Sequence, residues 1–312
     1  MTTDEKLAAI LTAVQIDPGN RGLARDPVNN LFTACSGDFA AACRDIAGCP
    51  QPVVNIITGF YIAIGEPPSF ETDGPLGAVF LARAFHRLGI STLLNAEPAC
   101  ARAMEAGIRA SKIHPEWLVE NVPPEGALHG PWVLGNRAPR PRFPTHTLAI
   151  ERAGPAADGQ YYTMGGRDIT EHMLGAHVLF DPGTDGKPHW QSIGIGDGGN
   201  EIGMGKIPHE TIVKNIPNGN LIHCRVPTDH LIVAGVSNWG AYALAAGVFA
   251  VRGAKPAEDL FDPDREKTIL ERMVHEGPLV DGVTGRQTAT VDGLSWDDYI
   301  RPLIRIREIL HS

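Results

Sequence analysis

Apolar residues recur at helical spacing over residues 7–15, and the run stops at Asp17-Pro-Gly-Asn, a turn signal. Pro27 is placed to open a short helix before residues 28–32, and residues 39–46 resume the helical period. Pro52-Val-Val-Asn-Ile-Ile-Thr58 reads differently. It is uncharged and β-branched, which predicts a strand covered on both faces, as in a parallel sheet. Over residues 75–88, Leu76, Val79, Phe80, Ala84 and Leu88 line one side of a helix that Gly89 ends. Residues 90–94 predict the next strand and residues 96–110 the next helix. This alternation is the signature of βαβ units.

Residues 115–144 break the pattern with seven prolines and few apolar runs, and predict an extended crossover or insertion. The pattern resumes with a strand over 147–152. Tyr161-Tyr-Thr-Met-Gly-Gly reads as a glycine turn, and Asp168 is placed to cap residues 169–174. Residues 192–195, 221–226 and 231–234 predict short strands, 238–251 an alanine-rich helix, and 265–275 and 299–310 the closing helices. The expected fold class is α/β, a mostly parallel sheet flanked by helices, in two lobes around a central acidic cleft. Residues 1–114 form the first lobe, 115–146 the proline-rich crossover, and 147–312 a second lobe carrying the glycine-rich motif.

Composition narrows the partners. The balance of 27 basic against 36 acidic residues, a net −9, argues against nucleic acid. Arg137, Arg140 and Arg142 lie among prolines and read as a solvated loop or an anion-binding patch. The longest small apolar run, 241–251, is too short to span a membrane, and no cleavable apolar leader follows the charged start. Five cysteines with no CxxC pair fit a reduced, cytoplasmic protein without a thiolate zinc site. A small-molecule ligand is therefore expected, and a homo-oligomer is compatible with these features.

The chemistry concentrates in the run Ser192-Ile-Gly-Ile-Gly-Asp-Gly-Gly-Asn-Glu-Ile-Gly-Met-Gly205. Glycines let backbone approach a ligand, and Asp197, Asn200 and Glu201 follow the strand within five residues. If a helix begins near Gly198, Asp197 and Glu201 share a face, a spacing that can bind Mg²⁺ or Mn²⁺; the alternative is a capping arrangement. The run lacks the Gly-Lys-Ser/Thr of a phosphate loop and the pattern of a dinucleotide fingerprint. In the loop before residue 75, Asp73 is an N-cap or a ligand, and Glu66, Glu71 and Asp73 suggest an acidic rim. Ser237 or Asn238 is placed to cap the alanine-rich helix or face a pocket beside Trp239. Asp229 and His230 are candidates for the same crevice, and His223 reads as a paired core histidine before a catalyst. Arg286, between glycines, is the candidate for a substrate carboxylate, with a surface arginine as the alternative.

Four segments resemble the D-glutamate cyclase family, in that family's order. They are Glu71-Thr-Asp-Gly-Pro-Leu-Gly-Ala78, Gly194 through Lys206, Ala234-Gly-Val-Ser-Asn-Trp-Gly240 with Tyr242, and Asp281-Gly-Val-Thr-Gly with Thr290-Val-Asp-Gly293. The chain is similar to the carboxyl-terminal catalytic domain of that family, over roughly residues 20–299. The resemblance implies an α/β architecture related to the DHH-type phosphoesterase fold, a divalent cation in an acidic cavity, and a lyase that converts D-glutamate to 5-oxo-D-proline and water. Chemistry laid on these motifs gives Asp73, Asp197 and Glu201 to a Mg²⁺ or Mn²⁺ ion and makes Glu71 or Asp197 the base. Asn200 and the N–H groups around Gly198 and Gly199 stabilise an oxyanion, Ser237 and Asn238 contact substrate, and Arg286 holds the α-carboxylate. The competing readings are a metal-dependent phosphohydrolase, a noncatalytic metal or amino-acid binding module and, last, an NAD-dependent oxidoreductase.

Overall fold

Short, charge-poor strands alternate with helices along the computed structural model, which describes residues 1–112, 119–121, 144–180 and 190–312. In chain order the strands are β1 (Val53–Thr58), β2 (Tyr61–Ile62), β3 (Ser69–Phe70), β4 (Ser91–Ala96), β5 (Val119–Asn121), β6 (His146–Ile150), β7 (Gln191–Gly196) and β8 (His230–Val233). The helices are α1 (Thr3–Val14), α2 (Leu31–Ala34), α3 (Asp38–Gly48), α4 (Pro75–Arg87), α5 (Pro98–Ala110), α6 (His209–Asn215), α7 (Gly219–Ile222), α8 (Ser237–Arg252), α9 (Pro263–Glu276) and α10 (Trp296–His311). Six strands form one sheet in the order β5-β4-β1-β6-β7-β8, with every neighbouring pair parallel, while β2 and β3 pair separately in the loop after β1. The expected α/β class with a parallel sheet is what the chain forms.

Side chains alternate across each strand, so the two faces have different coverings. Val54, Ile56, Leu148, Ile150, Ile193, Ile195 and Ile232 point into the main core with the helices, whereas Ile57 and Ala149 meet Ala176, Leu179, Phe180 and Ile202 on the other face. Helix α8 is the centre of the main core and is buried from Ser237 to Phe249. Its alanines and glycines permit this: Gly247 lies against Cys43, and Gly77 of α4 lies against Ala241. Pairing of β1 with β6, Val54 opposite His146 through Thr58 opposite Ile150, joins residues from both expected lobes in the same sheet.

Three local expectations are corrected. Residues 221–226 do not add a strand. The Cys224 and Arg225 N–H groups donate to the Gly199 and Pro155 carbonyls, so this backbone braces loops instead of the sheet. Helix α2 starts at Leu31 and not at Pro27, because Asn30 and Thr33 form a reciprocal cap with both bonds at 3.1 Å. Asp168 does accept from the Thr170 N–H at 2.8 Å, but the helix there is a three-residue 3₁₀ turn, Thr170–His172. The proline-rich segment, apart from 119–121 and its last residues from 144 on, lies outside the described residues, as do Arg137, Arg140 and Arg142. Among the described residues no helix is long and apolar enough to cross a membrane.

The chain moves from β1 to β4 and β5 on one side, then returns to β6 on the other. The carboxyl ends of β1 and β6 therefore lie where the strand order reverses, the usual ligand position in open parallel sheets.

Candidate active site

Acidic residues from four loops converge at these strand ends and are buried there. Glu151 directly follows β6, and Asp197 directly follows β7. The loop after β1 supplies Glu71 and Asp73. Its backbone is zipped to the segment 280–286, with the Thr72 N–H on the Val280 carbonyl and the Glu66 N–H on the Gly285 carbonyl, both at 2.9 Å. That segment is folded by Asp281, whose carboxylate accepts from the N–H groups of Val283, Thr284 and Gly293 and from the Thr290 hydroxyl at 2.7–3.1 Å. The fold of this loop delivers Asp292 to the cluster.

Asp73 does not cap its own helix. Its carboxylate accepts from the N–H groups of Ser237 and Asn238, at 2.9 and 2.8 Å, and so caps α8. Asn238 returns the arrangement: its Oδ1 accepts from the N–H groups of Gly74 and Gly77, at 2.9 and 2.7 Å, and caps α4. Ser237 donates its hydroxyl to Glu151 at 2.5 Å. The predicted cap by Ser237 or Asn238 on their own helix is replaced by this exchange.

No helix begins at Gly198. The turn folds back, with Gly199 at φ +97°, so that Glu201 accepts from the N–H groups of Asp197 and Gly199 at 2.9 and 2.7 Å. Asp197 and Glu201 meet for that reason and not through helical spacing. Asn200 donates to the Tyr162 carbonyl at 2.7 Å. Two N–H groups expected to face an oxyanion are thus engaged by Glu201.

Arg21, from the segment after α1, enters the cluster. Its guanidinium pairs with Asp197 and, at 2.8 Å, with Asp292. Glu71, Asp73, Glu151, Asp197 and Asp292 thus act on one guanidinium, and Glu201 joins the group through Asp197 and Glu151, six carboxylates in all. Two carboxylates 4–5 Å apart repel by roughly 3–4 kcal/mol at an effective dielectric of about 20. Protons or a cation must relieve such a group. Burial, reinforced by Asp292, Asp73 and Asp197, holds the Glu71 carboxyl well above the usual range. Burial, then Asp197 and Glu201, does the same for Glu151. Burial also lifts Asp197 well above that range, against the pull of Arg21. Asp73 is pushed up to about 7 by burial and Asp292, opposed by the N–H groups it accepts from.

The donor set fits a divalent cation. Asp73, Asp197 and Asp292, and likewise Glu151, Asp197 and Glu201, each bring three ligand oxygens within 4.8 Å of one another. Carboxylate oxygens are hard donors suited to such ions. Asp292 Oδ2 and Thr58 Oγ1 are buried without hydrogen-bond partners, and Thr58 Oγ1 lies beside Gly74 and Glu151.

The structure therefore gathers Glu71, Asp73, Asp197, Glu201, Ser237 and Asn238, with Asn200, Gly198 and Gly199 in the adjoining turn. Glu66 and Arg286 are exposed, and Arg286 forms no ion pair with the cluster acids. Asp229 precedes β8 and His230 opens it, so both lie at the amino end of the sheet, bound to Ser192 and Asp45, away from the acidic cluster. His223 is the expected core histidine, bonded to His209 and the Met204 carbonyl at 3.0 Å each. Trp239 packs in the core and donates to the Tyr299 carbonyl. Sequence reasoning missed Arg21, Glu151 and a role for Asp292. Glu151 had a signal, an acid at the end of a strand as in Asp197, hidden because the strand was extended to 152. For Arg21 no local signal exists.

These features define a parallel α/β protein with a buried carboxylate site at the strand ends. The chain belongs to the D-glutamate cyclase-like family: the family's description "D-glutamate cyclase-like, C-terminal" matches residues 10–307. It is 33% identical over 258 residues to the human protein "D-glutamate cyclase, mitochondrial", covering 80% of this chain and 39% of that protein. The chain thus spans well under half the length of that relative.

Proposed function

We propose that the chain is a hydro-lyase that cyclises D-glutamate to 5-oxo-D-proline and water. The observation that carries this reading is the buried six-carboxylate cluster at the sheet's carboxyl edge in a chain of this family. The α-amine attacks the γ-carboxyl carbon, a C–N bond forms and a C–O bond breaks. Two protons leave the ammonium nitrogen, and both depart with the expelled oxygen as water, so no net proton is exchanged. The cluster suits such internal transfer. Asp73, near 7, exchanges protons at neutral pH, and burial with neighbouring carboxylates holds Glu71 and Glu151 well above the usual carboxylate range. Asp197 or Glu71 takes the ammonium proton, and a neighbouring carboxyl returns a proton to the leaving oxygen. Asp73, Asp197 and Asp292, or Glu151, Asp197 and Glu201, would hold a Mg²⁺ or Mn²⁺ ion, which when bound polarises the γ-carboxylate. Holding the chain folded for a five-membered ring adds proximity. Five free cysteines suit a reducing compartment such as the cytoplasm.

A second reading has one observation in its favour. Asp197 belongs to both candidate cation groups, an arrangement that also suits two-metal hydrolysis of a small phosphoester. An NMR time course with D- and L-glutamate, with and without Mn²⁺ or Mg²⁺, separates the two. Formation of 5-oxoproline from the D form alone, lost with chelator, is expected. No turnover of either enantiomer, with release of phosphate from a phosphomonoester, would reverse the assignment.

A further inference from the structure

Arg21 is the cation that the cluster already contains, and the mechanism above gives it no task. Its backbone is fixed on both sides. Asp17 accepts from the N–H groups of Arg21, Gly22 and Leu23 at 2.9–3.0 Å. Asn215 accepts from the Asp26 N–H at 2.7 Å and donates to the Asn29 carbonyl at 2.8 Å. Gly22 lies so close to Asn215 that a Cβ would meet its carbonyl oxygen at 2.2 Å. The segment itself is pinned, so any rearrangement falls to the side chain. That side chain pairs with Asp197 and Asp292, two of the three acids in one candidate cation group. A guanidinium and a divalent cation therefore compete for the same two carboxylates.

We propose that cation binding at Asp73, Asp197 and Asp292 releases the Arg21 guanidinium, which then holds the α-carboxylate of the substrate. This assignment rests on the cyclase reading, since it names how that substrate is held. A ligand with two carboxylates is repelled by six protein acids unless positive charge accompanies it. The exchange supplies that charge: the ion replaces Arg21 at the protein's acids, and Arg21 turns to the ligand. Its planar fork matches a carboxylate with two parallel hydrogen bonds, which a lysine cannot copy. The side chain is 14% exposed, so it is not sealed wholly inside the cluster. Arg286, exposed and unpaired with the cluster, is displaced from the role the sequence suggested for it.

The test is calorimetric titration of the full chain, wild type, R21Q and R21K, first with Mn²⁺. At saturating Mn²⁺ the probes are then glutarate, which has two carboxylates and no amine to cyclise, and butyrate, which has one. R21Q is expected to bind Mn²⁺ at least about tenfold more tightly and glutarate at least about tenfold more weakly, with butyrate unchanged. R21K falls between, and it carries the comparison if circular dichroism shows that R21Q does not fold. Unchanged or weaker Mn²⁺ binding in a folded variant overturns the exchange. Equal losses for glutarate and butyrate overturn the carboxylate assignment, because a merely structural arginine predicts them. Wild-type protein that binds neither Mn²⁺ nor glutarate overturns the proposal. The expected binding pattern without 5-oxoproline from D-glutamate supports it while removing the cyclase reading alone.

Discussion

Asp197 is shared by both candidate cation groups and is paired with Arg21, so one carboxylate joins every charge in the site. Replacing it with Asn keeps the shape and removes the charge. D197N is expected to fold, shown by an unchanged far-UV spectrum, and to lose turnover and Mn²⁺ binding together. An active, metal-binding D197N protein would sink the assignment. The cluster also sets a pH dependence. Glu71, Glu151 and Asp197 are held well above the usual carboxylate range and Asp73 at about 7, whereas carboxylates in the unfolded chain titrate near 4. Between those values the folded state binds more protons, so stability is present below about 4 and is lost as pH rises through about 7. His223, pushed down to about 4 by burial, and His146, also lowered by burial, act in the opposite sense below about 6.5, but they are two imidazoles against five carboxylates, since burial raises Asp292 as well. Cation-free protein should therefore melt higher at about pH 5.5 than at about pH 8, and Mn²⁺ at the higher pH should restore the loss. A melting temperature that climbs over this interval without cation contradicts the account. Gly282 supplies a steric test, since a Cβ there would meet Glu71 Oε2 at 1.9 Å. G282A is expected to abolish turnover by moving Glu71, and full activity would show that the Glu71 carboxylate is not needed where it lies.

Helices α4 and α8 begin with each other's side chains. Asn238 accepts from the N–H groups of Gly74 and Gly77; the Gly74 N–H also donates to Asp73 at 3.0 Å, so N238A leaves the Gly77 N–H unsatisfied, at a cost of about 1–3 kcal/mol. The expected loss in urea denaturation is of that size, larger than for S237A, which removes only the bond to Glu151. Equal, small losses for the two would show that water satisfies the Gly77 N–H. This element pair also shows what a sequence discloses. The strands β1, β4, β7 and β8 and the helices α4, α5, α8, α9 and α10 were legible, because uncharged β-branched runs and helical apolar spacing are local properties. Asp73, Asn238 and Ser237 were legible as cap-type residues, but not whose helix each would cap, since that depends on two helices packing 164 positions apart. Residues 221–226 misled because their apolar side chains do not reveal that their backbone partners are loop carbonyls. Asp197 and Glu201 were found by their glycine context, while the reason they meet, a folded turn, was not in the spacing.

At the scale of the molecule, β1 and β6 bind residues before and after the proline-rich segment into one sheet. Helix α8 packs on α1, α3, α4 and α10 and draws both ends of the chain onto the same core. Such a structure is expected to unfold in one transition, with far-UV dichroism and tryptophan fluorescence changing together in urea. Two separated transitions would instead support two independent lobes. The pairing of Arg21 with Asp292 has a consequence for biosynthesis. A ribosome issues Arg21 long before Asp292, with β8 and α9 between them, so the salt bridge is absent from every nascent chain that has not reached Asp292. Until then Arg21 lacks one of its two carboxylates and the cation group lacks one of its three ligands. The charge balance of the site is thereby deferred until Asp292 has emerged, and chains terminated before it are expected to leave Arg21 and the candidate cation group incomplete.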